Sequence, residues 1–220
     1  MAVDSTATRK SYAQFCPIAT ALDFVGDRWT ILIIRELLGG PARFQDLKDG
    51  LPGIATNLLT ERLRRMETDG IVRRLDGAGT GPYTLTDAGD GIRSAIEELG
   101  MWGARLTHSV GPVVPPVHER SIRSIAMAMQ SILVRAGDAL PTETHVLEVD
   151  LDGEHIEIRL GPRPSATART PSQTDARVCS SHEAISRFLM GSTTDAATFQ
   201  HVSGDPESTR LLITAMGGIE

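Results

Sequence analysis

The stretch from Arg43 to Leu85 constrains this chain more than any other. A first helical pattern ends at the punctuated turn Asp49-Gly50-Leu51-Pro52-Gly53, and a second follows at once. In the second, Leu59, Leu63 and Met66 recur at i, i+4 and i+7 and share one face. At 100° per residue, Asn57, Glu61, Arg64 and Thr68 point the opposite way, with Thr60 and Arg65 beside them. Gly70 stands just past the last periodic residue, where a helix stops. Ile71–Leu75 then reads as a short strand, Asp76–Pro82 as a tight connection, and Tyr83–Leu85 as the return strand.

Helix, short turn, helix and hairpin, in that order, is the plan of a winged helix-turn-helix. Small polar and guanidinium groups on the outward face of its second helix suit the major groove. Taken alone, such a face is ordinarily a solvated helix surface. Here Arg62, Arg64, Arg65, Arg73 and Arg74 crowd into helix and strand just before a glycine-rich tip, and that order favours nucleic acid. The tip, 76–81, carries no Lys or Arg, so a wing contact to phosphate falls to backbone N–H groups or the flanking arginines. Net charge is −6 over 220 residues, awkward for a DNA binder. Residues 1–110, however, hold 13 Lys+Arg against 14 Asp+Glu, a net −1, whereas residues 111–220 hold 9 against 14, a net −5. Phosphate binding follows local potential, and the acidity belongs mostly to the second half.

Upstream, Pro17 suits a first helical position, and Ile18, Leu22 and Val25 share a face. Gly26 breaks that helix and Asp27 can cap the next, whose run Trp29–Leu38 is too apolar for anything except buried helix. Phe44 and Leu47 supply the core side of the helix after Gly39-Gly40-Pro41. Downstream, Thr86 is placed as an N-cap with Asp87 in the first turn. Ile92, Ile96, Leu99, Trp102 and Leu106 then form a stripe that is either a dimer surface or packed on its own core. Gly89 and Gly91 cost roughly 1 kcal/mol each relative to Ala, so close packing is the expected reason for them.

Cys16-Pro17-Ile18, Gly26-Asp27-Arg28-Trp29-Thr30, Arg35-Glu36-Leu37, Arg43-Phe44, Leu51-Pro52-Gly53-Ile54, Leu59-Thr60-Glu61-Arg62-Leu63 and Tyr83-Thr84-Leu85-Thr86 together resemble the HxlR family of MarR-like winged-helix regulators. The resemblance spans about residues 14–107. It implies a homodimer joined by terminal helices on a near-palindromic operator in double-stranded DNA, with Thr56, Asn57, Thr60 and Arg64 on the recognition helix. Arg65, Arg73 and Arg74 complete the expected DNA-binding set. Relatives commonly start that helix with Ser-Pro; here Ala55-Thr56 stands instead, which would shift the cap to Thr56. Some members use a cysteine near the N-terminus as an oxidation sensor, and Cys16 occupies that region; the alternative is a small buried residue beside Pro17.

After the Pro-rich segment 111–119, read as a linker, the character changes. Ser121–Arg135 is an amphipathic helix rich in Ile and Met, and alternating apolar residues at 147–151 and 156–160 flank Asp152-Gly153, a hairpin signal. A strand at Asp175–Cys179, a helix at Glu183–Met190, a strand at Thr198–Val202 and a helix at Pro206–Met216 complete a small α+β unit. Its tail resembles the sterol-carrier-protein-like fold, which implies an apolar cavity; Met127, Met129, Leu133, Phe188 and Met190 are candidates to line it or else plain core.

The expected class is therefore α+β, with a mostly helical winged domain over 1–110 and a sterol-carrier-like domain over 120–220. No dinucleotide fingerprint, phosphate-binding loop or nucleophile elbow occurs. Cys179 and His182 lie three apart without a second pair, so neither a metal nor any other cofactor is expected, and the chain is read as a non-enzyme. No apolar run reaches the ~20 residues of a membrane span, and Met1–Tyr12 lacks the apolar core of a secretory signal. Two distant cysteines make a disulfide framework unneeded, which fits a cytoplasmic protein. The leading expectation is a homodimeric DNA-binding regulator answering to a small apolar effector. The alternative is a lipid-binding or transfer protein, or an enzyme, whose winged domain contacts protein.

Overall fold

The computed structural model describes residues 11–77, 79–110, 121–189 and 198–217, with backbone alone at 104 and 107–110. The expected linker and Met190 lie outside the described residues. Helices α1 (Pro17–Val25), α2 (Thr30–Leu38), α3 (Phe44–Gly50) and α4 (Thr56–Thr68) precede the hairpin β1 (Val72–Arg74) and β2 (Tyr83–Leu85), and α5 (Asp87–Asp90) and α6 (Arg93–Val110) follow it. Asp27 caps α2 through the amides of Trp29 and Thr30 and the Thr30 hydroxyl. Burial alone would raise its pKa; the Thr30 and Trp29 hydrogen bonds and the Arg62 charge more than offset that, and the carboxyl sits below its usual value. Thr86 caps α5, as its position indicated, by accepting from the Gly89 amide at 3.1 Å. Gly89 is there for space: a Cβ on it would lie 2.1 Å from the Ile71 carbonyl oxygen.

Ile33, Ile34, Leu47, Leu59 and Leu63 are fully buried in the core of this half. Losing one of these leucines to alanine costs on the order of 2–5 kcal/mol. Two expected faces behave differently from the rest. Val25 of α1 is buried, but Ile18 and Leu22 are exposed; on α6, Ile96 is buried while Leu99, Trp102 and Leu106 are exposed. Periodicity shows that a helix has an apolar face; it does not show which molecule covers it.

The second half begins with α7 (Ile122–Ala136), capped by Ser121, whose side chain accepts from the Arg123 amide. Strands β3 (His145–Leu151), β4 (Glu154–Leu160), β5 (Ser165–Thr167), β6 (Ala176–Ser180) and β7 (Gln200–Gly204) form one sheet in the order β5-β4-β3-β6-β7. β3 pairs antiparallel with β4 and parallel with β6. Asp152 and Gly153 both take positive φ, as the tight turns favoured in two-residue hairpins require. Leu147, Val149, Leu151, Ile156, Ile158 and Leu160 face α7, α8 (His182–Leu189) and α9 (Pro206–Gly217) across a single core. This is a two-layer α+β unit, and β5, too short and polar to signal itself, is the one strand the pattern did not indicate.

The two halves share α7. Met129 and Leu133 enter the sheet core, whereas Met127 belongs to the core of the winged half. Ser121 donates to the buried Glu36 carboxylate, and Arg123 donates to the Gly40 and Pro41 carbonyls at the end of α2. Burial lowers the Arg123 pKa, while Asp46 and Glu36 act against that. A Cβ on Gly39 would lie 2.8 Å from the Arg123 carbonyl oxygen, so the approach demands glycine.

Candidate nucleic-acid interface

The geometry of the site begins with the turn between α3 and α4. Leu51 and Ile54 are each 1% exposed and pin it to the core, Gly53 takes φ +88, and Lys48 donates to the Ile54 carbonyl. These contacts fix where α4 leaves the turn. Ala55, not Thr56, is the N-cap of α4, and it supplies no side-chain acceptor. The cap reading at Thr56 is thereby corrected: Thr56 is already the first helical residue, and the first-turn amides are left to solvent or to an anion.

Leu59, Leu63 and Met66 hold the back of α4, and Thr56, Asn57, Thr60, Glu61, Arg64 and Thr68 are exposed on its front and flanks. The Thr60 hydroxyl donates to the Thr56 carbonyl at 2.9 Å. Arg64 enters no ion pair among the described residues. Arg62 does: its Nε lies 3.1 Å from Asp27 and its Nη1 donates to Glu61 at 3.0 Å, so it struts α4 against the α1–α2 turn. Arg65, half-buried, approaches Asp69, the C-cap of α4, at 4.0 Å.

The two wing arginines part company. Arg73 is exposed and enters no ion pair among the described residues. Arg74, expected beside it as a phosphate contact, faces inward, because alternation along β1 puts it opposite Tyr83. Its guanidinium lies 3.5 Å from the Tyr83 ring centroid, donates to the Tyr83 hydroxyl and to the Gly81 carbonyl, and meets Glu67. Burial pushes the Tyr83 phenol pKa up, against the pull of Arg74. Of the expected set, Thr56, Asn57, Thr60 and Arg64 are exposed on α4 and Arg73 on β1, whereas Arg74 is turned inward and Arg65 is half-buried. Sequence reasoning missed the strut role of Arg62, for which only its place beside the Leu59–Leu63 stripe was a signal.

The other expected sites are dispersed. Met129 and Leu133 are buried in the sheet core near Phe188, whose ring packs edge-on to Phe199 at 6.2 Å; Met127 is on the far side of α7. Cys16, a free thiol, is half-buried at the N-cap of α1. Cys179 is a second free thiol, facing Gln200, while His182 lies between Asp152 and Glu154, so the two do not form a dyad. Among the described residues no cluster of His, Cys, Asp and Glu suits a metal ion, and no helix is long and apolar enough to cross a membrane.

A pinned turn, an open polar helix and a hairpin beside it define a winged helix-turn-helix of the DNA-binding kind. Residues 24–110 match the HxlR-like helix-turn-helix family. YvaP of Bacillus subtilis, an HTH-type transcriptional regulator, is 34% identical over 95 residues, which are 41% of this chain and 87% of YvaP. The Synechocystis regulator sll1512 is 48% identical over 91 residues, 39% of this chain and 67% of its own length. YodB of Bacillus subtilis is 35% identical over 91 residues, covering 40% of this chain and 81% of YodB. The chain belongs to the HxlR family of helix-turn-helix transcriptional regulators.

Proposed function

We propose that the protein is a cytoplasmic homodimer that binds a near-palindromic operator and regulates transcription. The carrying observation is the open front of α4, where Asn57, Thr60 and Arg64 are exposed; Arg73 of the hairpin is exposed as well. Asn and Arg at such positions read base edges, and a dimer places two such helices about one helical turn apart. The dimer part of the reading rests on apolar surface the chain leaves uncovered: Leu99, Trp102 and Leu106 on α6, and Ile18 and Leu22 on α1. A gel shift on the protein's own upstream DNA tests the whole reading. A sequence-selective shift with a dimer's stoichiometry is expected; its absence would favour an enzyme or a protein-contacting adaptor. Trp102→Ala should weaken self-association measured by sedimentation, since buried Trp anchors are typical hot spots.

An effector role for the C-terminal half belongs to the same proposal. Its support is a sheet-and-helix interior with Met129, Leu133 and Phe188 inside, side chains that adapt to irregular apolar ligands, together with the resemblance to sterol-carrier-like proteins. The seam from Ser121 and Arg123 to α2 offers the route from that half to the DNA-binding half. Fatty acids, sterols and aromatic polyketides, screened by thermal shift and then by operator titration, test it. Ligands that stabilise the protein yet leave operator affinity unchanged would remove the coupling.

A further inference from the structure

Segment 39–42 is held from three sides. The Gly39 carbonyl accepts from the Ala168 amide, just past β5, at 3.0 Å. The Gly40 and Pro41 carbonyls accept from Nη1 and Nη2 of Arg123, on α7, at 2.5 and 2.7 Å. Ala42 exchanges backbone hydrogen bonds with Tyr83 of β2, its amide donating at 3.0 Å and its carbonyl accepting at 2.7 Å. The wing strand β2 thus lies between β1 and Ala42, and the C-terminal sheet reaches it through four residues of backbone. Both glycines make room for the C-terminal half. A Cβ on Gly39 would press on the Arg123 backbone, and one on Gly40, which takes φ +117, would lie 2.9 Å from Thr167 Cγ2. Arg43 follows at once as the N-cap of α3, its amide donating to Asp46, so the same segment sets where the helix-turn-helix begins.

Resting on the DNA-binding reading above, we infer that Arg123 is a positioning residue for the wing: from the C-terminal half it fixes segment 39–42, and through it the pose of β2 and Arg73. A guanidinium suits the task, because its planar fork bonds two successive carbonyls at once in a fixed geometry. The backbone bonds from Ala168 to Gly39 and between Ala42 and Tyr83 carry the same constraint, one end in the second sheet and the other in the wing. Arg73 pairs with Thr84, the residue after Tyr83, so a shift of β2 moves Arg73 with it. The second half is thereby part of the DNA-reading geometry with or without an effector, and a ligand that tightened or loosened β5 would be felt at the wing.

Arg123→Met removes both donors while keeping much of the side-chain volume, and Arg123→Lys keeps the charge and a donor. Each full-length variant is titrated beside the parent, with and without Arg73→Ala, against upstream and random duplexes. Exchange of the Ala42 and Tyr83 amides is followed by NMR without DNA. In Arg123→Met both amides should exchange at least about threefold faster, and both duplexes should bind about threefold to tenfold more weakly. Arg73→Ala should then cost less than in the parent by more than about twofold, a departure that independent distant sites do not show. Arg123→Lys should fall between parent and Arg123→Met. An equal cost of Arg73→Ala in both backgrounds would overturn the inference and leave Arg123 a merely structural group. Parent-like affinity, or parent-like exchange at Ala42 and Tyr83, would overturn it too. If Arg123→Met does not fold, the same cycle is read in Arg123→Lys. A parent that shifts no DNA would sink the regulator reading, and the exchange measurement, made without DNA, tells that failure from this one.

Discussion

Two faces of the molecule display arginines, and the neighbours of those arginines set the faces apart. On the winged half, Arg64 and Arg73 are exposed and enter no ion pair among the described residues. On the outer face of the C-terminal sheet, Arg177 reaches Asp150 at 2.7 Å and Glu148 at 3.8 Å, and Arg159 and Arg169 converge on Glu157 at 2.7 and 2.5 Å. The sheet needs them: Glu148 and Glu157 lie directly opposite each other across β3 and β4, an arrangement that is destabilising unless cations intervene. His155 adds a contact 2.9 Å from Glu148. On that sheet face the arginines meet carboxylates, whereas Arg64 and Arg73 do not, although Arg62 and Arg74 of the winged half are engaged as well and the exposed Arg163 and Arg187 of the C-terminal half enter no ion pair among the described residues. Counting cations therefore says little about nucleic-acid binding, whereas asking what each already touches says a good deal.

The comparison breaks first if the open arginine is idle. Arg64→Ala and Asn57→Ala should each lose about 1–3 kcal/mol of discrimination per lost base contact, so a cognate site suffers far more than random DNA in paired titrations. Equal losses on both duplexes would reduce these side chains to backbone contacts. Next in size is the paired half. Glu157→Gln should cost roughly 1–2 kcal/mol of stability in denaturant melts at neutral pH, because two guanidiniums lose their shared carboxylate. Burial alone would raise the Glu157 pKa, but hydrogen bonds from Arg169 and Arg159 outweigh it and the folded pKa is lowered. The stabilisation is thus present above the usual carboxylate range and fades as pH falls through the lowered value, so parent and variant should converge in acid. Operator affinity at neutral pH should not move.

A smaller effect is expected at Arg73. If each subunit loses one phosphate contact, Arg73→Ala should weaken all DNA alike and flatten the slope of log K against log salt by about 0.9 per contact, roughly 1.8 per dimer. An unchanged slope would take Arg73 out of the interface. Least of all should happen at Arg169: truncating it to alanine is expected to leave DNA affinity within about twofold, since exposed and already paired charges contribute little at a distance. A large loss there would abolish the distinction between the two faces.

Much of the architecture was legible because period and punctuation agree. Leu59, Leu63 and Met66 announced the buried side of α4, Thr86 its cap role, and Asp152-Gly153 the hairpin, and the structure has each in that place. What stayed hidden depends on partners remote in sequence. Arg73 and Arg74 read alike until the register sets Arg74 opposite Tyr83. Met127 and Met129 read as neighbours in one cavity, although two residues on a helix are 200° apart, and they enter different cores. The outward Ile18, Leu22 and Trp102 could not be told from core residues, since apolar periodicity is the same whichever surface does the covering.

The sharing of α7 bears on how the chain matures as it is made. An N-terminal domain ordinarily completes itself while the rest is still being synthesised. In this protein the winged half emerges first, yet Glu36, Gly40 and Pro41 acquire their partners Ser121 and Arg123, and the core acquires Met127, only after the segment beyond α6 has been translated. Without that segment the winged half lacks Met127 from its core and Glu36 lacks one of its donors. The winged half becomes complete when the helix that also founds the second sheet arrives, and the ribosome releases the two halves in sequence but finishes them together.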